Sequence, residues 1–230
     1  MFYIKSLNVS YGESEVINSL DLELQKGEIL AVMGRNGMGK TTLFKSLIGI
    51  LGCGSGSSIK IDDTELASEP SFQRVRKGLA YVPQGRMIFP NMTVTDNIRT
   101  GLDSSEEKEV PDYVYELFPV LKEMGKRKGG NLSGGQQQQL AIARALVTKP
   151  KVLLLDEPTE GIQPSIIKEM AEKLKTIRDM HDVSIIVAEQ VLSFALTACD
   201  RFLVMEGGAI VHSSDRSEVD AEKIKSFLSV

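Results

Sequence analysis

The sequence predicts an α/β fold around a parallel sheet, and three apolar runs predict it. Ile29–Met33, Lys151–Leu155 and Val183–Ala188 are short strands whose near-continuous apolar residues suit burial on both faces. Each leads through a polar or glycine-rich turn into a helical pattern, the alternation expected of βα units. In such folds ligands gather at the carboxyl ends of the strands.

Taken in order, Leu20–Leu24 alternates apolar and acidic residues, the period of a strand with one wet face. Lys26-Gly27-Glu28 turns the chain into the Ile29–Met33 strand, Gly34–Gly39 is a glycine-rich loop, and Thr41–Ile50 reads as a helix. Gly52–Ser58 is a glycine- and serine-rich surface connector. Leu79–Val82 is a further strand, ending at Pro83-Gln84-Gly85. From there to Asn131 the character changes. Helical patterns at Thr93–Ile98 and Asp112–Met124 flank a charged loop, Asp103–Glu109, and predict a small helical insertion over about 85–131. The α/β alternation resumes with a helix over Gln136–Val147, the Lys151–Leu155 strand, a helix over Ser165–Met180, the Val183–Ala188 strand and a helix over Val191–Ala198. Phe202–Met205 and Ala209–Val211, separated by two glycines, read as a hairpin.

The bulk numbers agree with one such domain over 1–230. The chain has 230 residues, 42% of them hydrophobic and 25% charged, which is ordinary for a soluble globular protein. A net charge of −4 argues against a nucleic-acid partner. The N-terminus has no apolar signal region, and no apolar run approaches the roughly 20 residues that span a bilayer. Cys53 and Cys199 form no metal or redox spacing, so a reduced cytosolic chain is expected.

Gly34-Arg35-Asn36-Gly37-Met38-Gly39-Lys40-Thr41 fits the phosphate-loop pattern and stands between a strand and a helix, as that pattern requires. Its backbone N–H groups can wrap phosphate, Lys40 can reach the β and γ phosphates, Thr41 can ligate Mg²⁺, and Thr42 can reach the α-phosphate. Val152–Leu155 ends in Asp156 and Glu157. Two adjacent carboxylates at a buried strand end call for an ion or a reacting group nearby. Asp156 suits the Mg²⁺ shell, and Glu157 suits a general base that polarises the attacking water. In Leu132-Ser133-Gly134-Gly135-Gln136, Ser133 is a natural N-cap with Gln136 at capping-box spacing, and the glycines leave a second exposed anion site.

The phosphate loop, LSGGQ and VLLLDE, in this order and over nearly the whole chain, resemble the ATP-binding subunit of ABC transporters. The resemblance implies a P-loop NTPase fold with an antiparallel β subdomain and the inserted helical subdomain. It implies ATP and Mg²⁺ as cofactors, Tyr11 stacking on adenine, and Gln84 sensing Mg²⁺ and the membrane partner. Ser133, Gly134, Gly135 and Gln136 would contact the γ-phosphate of ATP held by a second subunit. The partners implied are a like or related ATPase subunit, two transmembrane permeases and, indirectly, a substrate-binding protein, at the cytoplasmic face of the inner membrane. Arg86, Phe89 and Pro90 are either the permease-facing surface or an ordinary loop.

Within that family, YVPQGRMIFP and DEPTEGIQPSI are similar to importer subunits for branched-chain amino acids and to their urea-transporting relatives, the second segment most to the urea branch. The expected function is therefore to energise urea or short-amide uptake, with branched-chain amino acid import as the alternative and a soluble assembly ATPase as the reading from another class. Two positions depart from the family pattern. Gln163 stands where an Asp is usual, and Gln190 where most members carry a His that meets the γ-phosphate. His181 cannot substitute, because the intervening strand spans about 30 Å, and His212 is expected at the surface. An amide can donate and accept but cannot carry a proton as imidazole does, so base duty falls to Glu157 with Gln190 positioning. Strand alternation turns Glu189 to the opposite face, as a structural or interface carboxylate.

Overall fold

Apolar residues recur at alternate positions along the first two strands and run unbroken along the later ones, and the chain sorts them into two sheets. The computed structural model describes residues 1–105 and 107–228. β1 (Phe2–Tyr11), β2 (Ser14–Leu24) and β3 (Ile29–Met33) lead into α1 (Lys40–Leu47), followed by β4 (Ser58–Ile61), β5 (Thr64–Glu65), α2 (Ser71–Arg76) and β6 (Leu79–Val82). Three short helices follow, α3 (Val94–Arg99), α4 (Asp112–Leu117) and α5 (Pro119–Glu123), before α6 (Gly134–Leu146) returns to β7 (Val152–Asp156). α7 (Pro164–His181), β8 (Ser184–Glu189), α8 (Leu192–Ala198), β9 (Arg201–Glu206), β10 (Ala209–Asp215) and α9 (Ala221–Leu228) complete the described chain.

One sheet has the order β2-β1-β4-β5 and is antiparallel; the other runs β10-β9-β3-β8-β7-β6. In the second, β9, β3, β8, β7 and β6 are mutually parallel, with β10 antiparallel at one edge. β3, β7 and β8 are buried along their whole length, which is why their sequences do not alternate. On one face Leu30, Val32, Leu154 and Ile186 pack against Leu43, Phe44 and Leu47 of α1 and the inner side of the antiparallel sheet. On the other, Ala31, Leu153, Ile185 and Val187 meet apolar residues from α3 through α9, including Val94, Leu117, Leu140 and Phe194. Each fully buried Leu, Ile or Phe contributes about 2 kcal/mol of transfer free energy.

Several boundaries differ from the sequence reading. The single helix expected over Asp112–Met124 is two, because Pro119 forces Phe118 out of the helical region to φ −130°, ψ 69°. α1 stops at Leu47 rather than Ile50, since Gly49 follows at φ +84°. The charged loop expected at 103–109 overlaps a 3₁₀ turn, Thr100–Ser104, and its Glu106 lies outside the described residues. β1, β4, β5, α2 and α9 were not anticipated. His212, expected at the surface, is half-buried and stacks on Phe227 of α9, ring centroids 5.8 Å apart. Thr93 caps α3 by accepting from the Asp96 amide.

The two sheets touch where the β9–β10 turn meets β2 and the phosphate loop. Gly208 sits at φ +80° and donates its N–H to the Met38 carbonyl at 3.1 Å, and a Cβ there would clash with the Val16 carbonyl oxygen at 1.8 Å. Gly208→Ala is expected to cost about 2 kcal/mol or more in urea unfolding, because backbone atoms rather than a flexible side chain must move. An unchanged midpoint would show that this contact does not constrain the fold.

Candidate nucleotide site

Sheet register assembles the site. Met33 pairs with Glu189 and Asp156 pairs with Ala188, so the carboxyl ends of β3, β8 and β7 lie side by side. Adjacent strands are about 4.8 Å apart, within side-chain reach of one another. Gly34, Arg35, Asn36, Gly37, Met38 and Gly39 form the loop from β3 to α1, Lys40 and Thr41 open the helix, and half-buried Thr42 follows in its first turn.

Lys40 is buried, with 3% of its side chain exposed. Its ammonium donates back to the carbonyls of Gly34 at 2.8 Å and Arg35 at 3.1 Å, and lies 3.3 Å from Glu157 Oε1. Glu157 stands just past β7 at φ +47°, an uncommon and strained backbone for a residue with a Cβ, and its own N–H donates to the Ala188 carbonyl at 2.9 Å. That turn sends its carboxylate toward Lys40. Gln190 Nε2 donates to Glu157 Oε1 at 2.8 Å and to Asn36 Oδ1 at 2.7 Å. Gln84 Nε2 reaches Glu157 Oε2 at 3.3 Å. One carboxylate thus collects an ammonium and two amide donors from three separate segments.

Asp156, only 1% exposed, accepts from the Thr41 hydroxyl at 3.3 Å and the Tyr81 phenol at 3.1 Å. Burial pushes its pKa above the usual carboxylate range, against the two hydroxyl bonds, while neighbouring Glu157 pushes it further up. The Tyr81 phenol is itself held up by burial and by Asp156. A divalent cation reverses this balance by favouring the ionised acid, so Asp156 and Thr41 fit a Mg²⁺ site. Among the described residues no cluster of three or more His, Cys, Asp or Glu is poised for a metal. Gln84, expected to share that ion, bonds Glu157 rather than Asp156.

The remaining expected residues lie apart from this cluster. Tyr11 ends β1 with 47% of its surface exposed. Ser133 and Gln136 form the anticipated capping box: Gln136 N donates to Ser133 Oγ at 3.4 Å and Ser133 N to Gln136 Oε1 at 3.0 Å. Gly134 and Gly135 face Gly161, Arg86 and Ile166, and among the described residues no hydrogen bond joins Ser133–Gln136 to residues 34–42. Gln163 is exposed at the N-cap of α7 and its side chain caps nothing. Glu189 lies on the face of β8 shared by Ile185 and Val187, away from Lys40, as alternation requires. Tyr81 was missed. Pairing of Tyr81 with Leu154 puts it on the same face as Asp156, a relation visible only once β6 and β7 are set in register.

The sequence profile described as ABC transporter matches residues 17–160. The chain belongs to the ABC transporter family. It is 40% identical to the high-affinity branched-chain amino acid transport ATP-binding protein BraG of Pseudomonas aeruginosa, over 92% of this chain and 91% of that one. It is 35% identical to the probable branched-chain amino acid transport ATP-binding protein LivF of Archaeoglobus fulgidus, over 93% and 91%. Its fold matches that of a nucleotide-free ATP-binding cassette from an ABC transporter with a TM-score of 0.84, at 23% identity over 100% of this chain and 95% of the other. The chain is thus an ATP-binding subunit, an ATPase coupled to transport, with the ABC ATPase fold that the three motifs implied.

Tyr81→Phe removes one of the two hydroxyl donors on buried Asp156. The expected loss is about 1 kcal/mol of unfolding free energy in urea titration, with the fold intact by circular dichroism. A stability equal to the parent's would mean that the Tyr81 hydroxyl gives Asp156 no net support.

Proposed function

We propose that this subunit energises uptake of branched-chain amino acids through separate membrane subunits, with hydrolysis carried by Lys40, Glu157 and Gln190. The observation that supports this most is the convergence of Lys40, Gln84 and Gln190 on Glu157 beside a phosphate-binding helix start. ATP phosphates take the loop N–H groups of residues 34–42, and Lys40 exchanges the Gly34 and Arg35 carbonyls for the β and γ phosphates. Asp156 and Thr41 would hold Mg²⁺, which would supply charge neutralisation for the transferring phosphoryl group. Glu157 takes a proton from the attacking water, and Gln190 donates to the γ-phosphate while its contact with Glu157 fixes the carboxylate. Tyr11 offers a platform for adenine. Because the signature lies apart from the phosphate loop of its own chain, Ser133–Gln136 serve ATP on a second copy or a related subunit.

A groove of about 380 Å³ between β6 and α6 supports docking of a permease. Met87 and Phe89 on its rim are 68% and 46% exposed, and the Arg144 guanidinium lies over the Phe89 ring at 5.4 Å. Gln84, a few residues before them, contacts Glu157, so a partner seated there can reach the hydrolytic carboxylate through one short segment. No described helix is long and apolar enough to cross a membrane.

The names of the two relatives support branched-chain amino acids over the urea cargo first read from the sequence. Urea remains a second reading, favoured by DEPTEGIQPSI over 156–166. Uptake of labelled leucine and labelled urea in a strain lacking this subunit separates them. Loss of leucine uptake alone is expected. Loss of urea uptake alone would replace the cargo, and retention of both would remove the importer reading. For the chemistry, Glu157→Gln is expected to lower kcat roughly 100-fold or more while ATP still binds and holds two chains together. Steady-state turnover above half the parental rate would rule Glu157 out as the base.

A further inference from the structure

Among the described residues, Glu189 is the one fully buried carboxylate beside the site that the proposed hydrolysis leaves without a task. It is 1% exposed, and every partner that it has is a hydrogen-bond donor. Oε1 accepts from the Thr159 amide at 3.1 Å and from the Thr159 hydroxyl; Oε2 accepts from the amides of Gln190 at 2.8 Å and Val191 at 2.9 Å. Thr159, 4% exposed, belongs to the turn that follows Glu157; Gln190 and Val191 form the turn after β8. The two oxygens of one side chain therefore hold two turns from different strands, and each turn carries a group of the hydrolytic cluster.

The same end of β8 supports the strained residue directly. The Ala188 carbonyl accepts the Glu157 amide, and the next residue, Glu189, holds Thr159 two positions further on. A backbone at φ +47° persists only where its surroundings over-determine it, and these consecutive contacts supply that determination. On the other side, fixing the Gln190 amide orients the side chain whose Nε2 bonds Glu157 Oε1 and Asn36 Oδ1. A carboxylate suits four donors because it only accepts. A glutamine in its place turns an NH₂ toward either Thr159 or the Gln190–Val191 amides and loses one turn.

We propose that Glu189 is a positioning residue for ATP hydrolysis: it locks the Gln190 turn to the turn behind Glu157 and thereby sets the geometry between the amide and the base. This rests on the roles proposed above for Glu157 and Gln190. Buried at 1% exposure, Glu189 acts through those two side chains.

The test is a double-mutant cycle on steady-state ATPase of the purified full chain, using Glu189→Gln, Gln190→Ala and the pair. Glu189→Gln alone is expected to lower kcat about 10-fold with KM for ATP within about twofold, the signature of an interaction made in the transition state. In the Gln190→Ala background the same substitution is expected to lower kcat by no more than about threefold, because the amide–base geometry it sets is already gone and only its hold on the Glu157 turn remains. Multiplicative losses, or a loss confined to KM, would overturn the proposal while leaving Gln190 its role. A harmless Gln190→Ala would instead remove the role of Gln190, and the proposal with it. Should Glu189→Gln fail to fold, Thr159→Val removes one donor at constant shape. Its smaller loss of kcat is then expected to shrink in the Gln190→Ala background, and an undiminished loss there would overturn the proposal equally.

Discussion

The ion pair between Lys40 and Glu157 is the contact that the rest of the site is built to hold. Its partners stand 3.3 Å apart with side chains 3% and 12% exposed. Removing either charge leaves the other buried with only neutral hydrogen-bond partners, which is destabilising. Lys40 is fixed by the start of α1 and by two loop carbonyls, Glu157 by a left-handed turn tied to β8. Neither position exists without the register that sets β3, β8 and β7 level at their carboxyl ends.

An amide beside that pair changes what the third strand end contributes. Gln190 Nε2 donates to both Asn36 and Glu157, joining the phosphate loop to the carboxylate through one side chain. It can orient but cannot exchange a proton at neutral pH, which separates positioning from base chemistry more sharply than a histidine would. Gln163 makes a comparable change in the segment after Glu157, where an exposed amide replaces an expected charge.

How far the molecule can be read from its sequence depends on how local each determinant is. The phosphate loop and the Ser133–Gln136 capping box are legible because their partners lie within a few residues. The face of Glu189 follows from strand alternation, but its grip on Thr159 does not, since that partner is on another strand. Tyr81 and Asp156 likewise meet only through the β6–β7 register. β1 escaped notice because its alternation slips at Ser6, which sits at φ +50°, so that Ile4 and Leu7 are buried with two residues between them. Cargo is the least legible property, because the residues proposed for the site are all proposed to serve nucleotide rather than transported solute.

A structure of Glu157→Gln with ATP and Mg²⁺ tests the central claim most directly. The expected result is ATP enclosed between two chains. Lys40 Nζ should move from the Gly34 and Arg35 carbonyls to the β and γ phosphates, with Ser133–Gln136 of the second chain on the γ-phosphate. Nucleotide bound to a single chain, with Lys40 still on the loop carbonyls and Gln190 out of reach of the γ-phosphate, would contradict it.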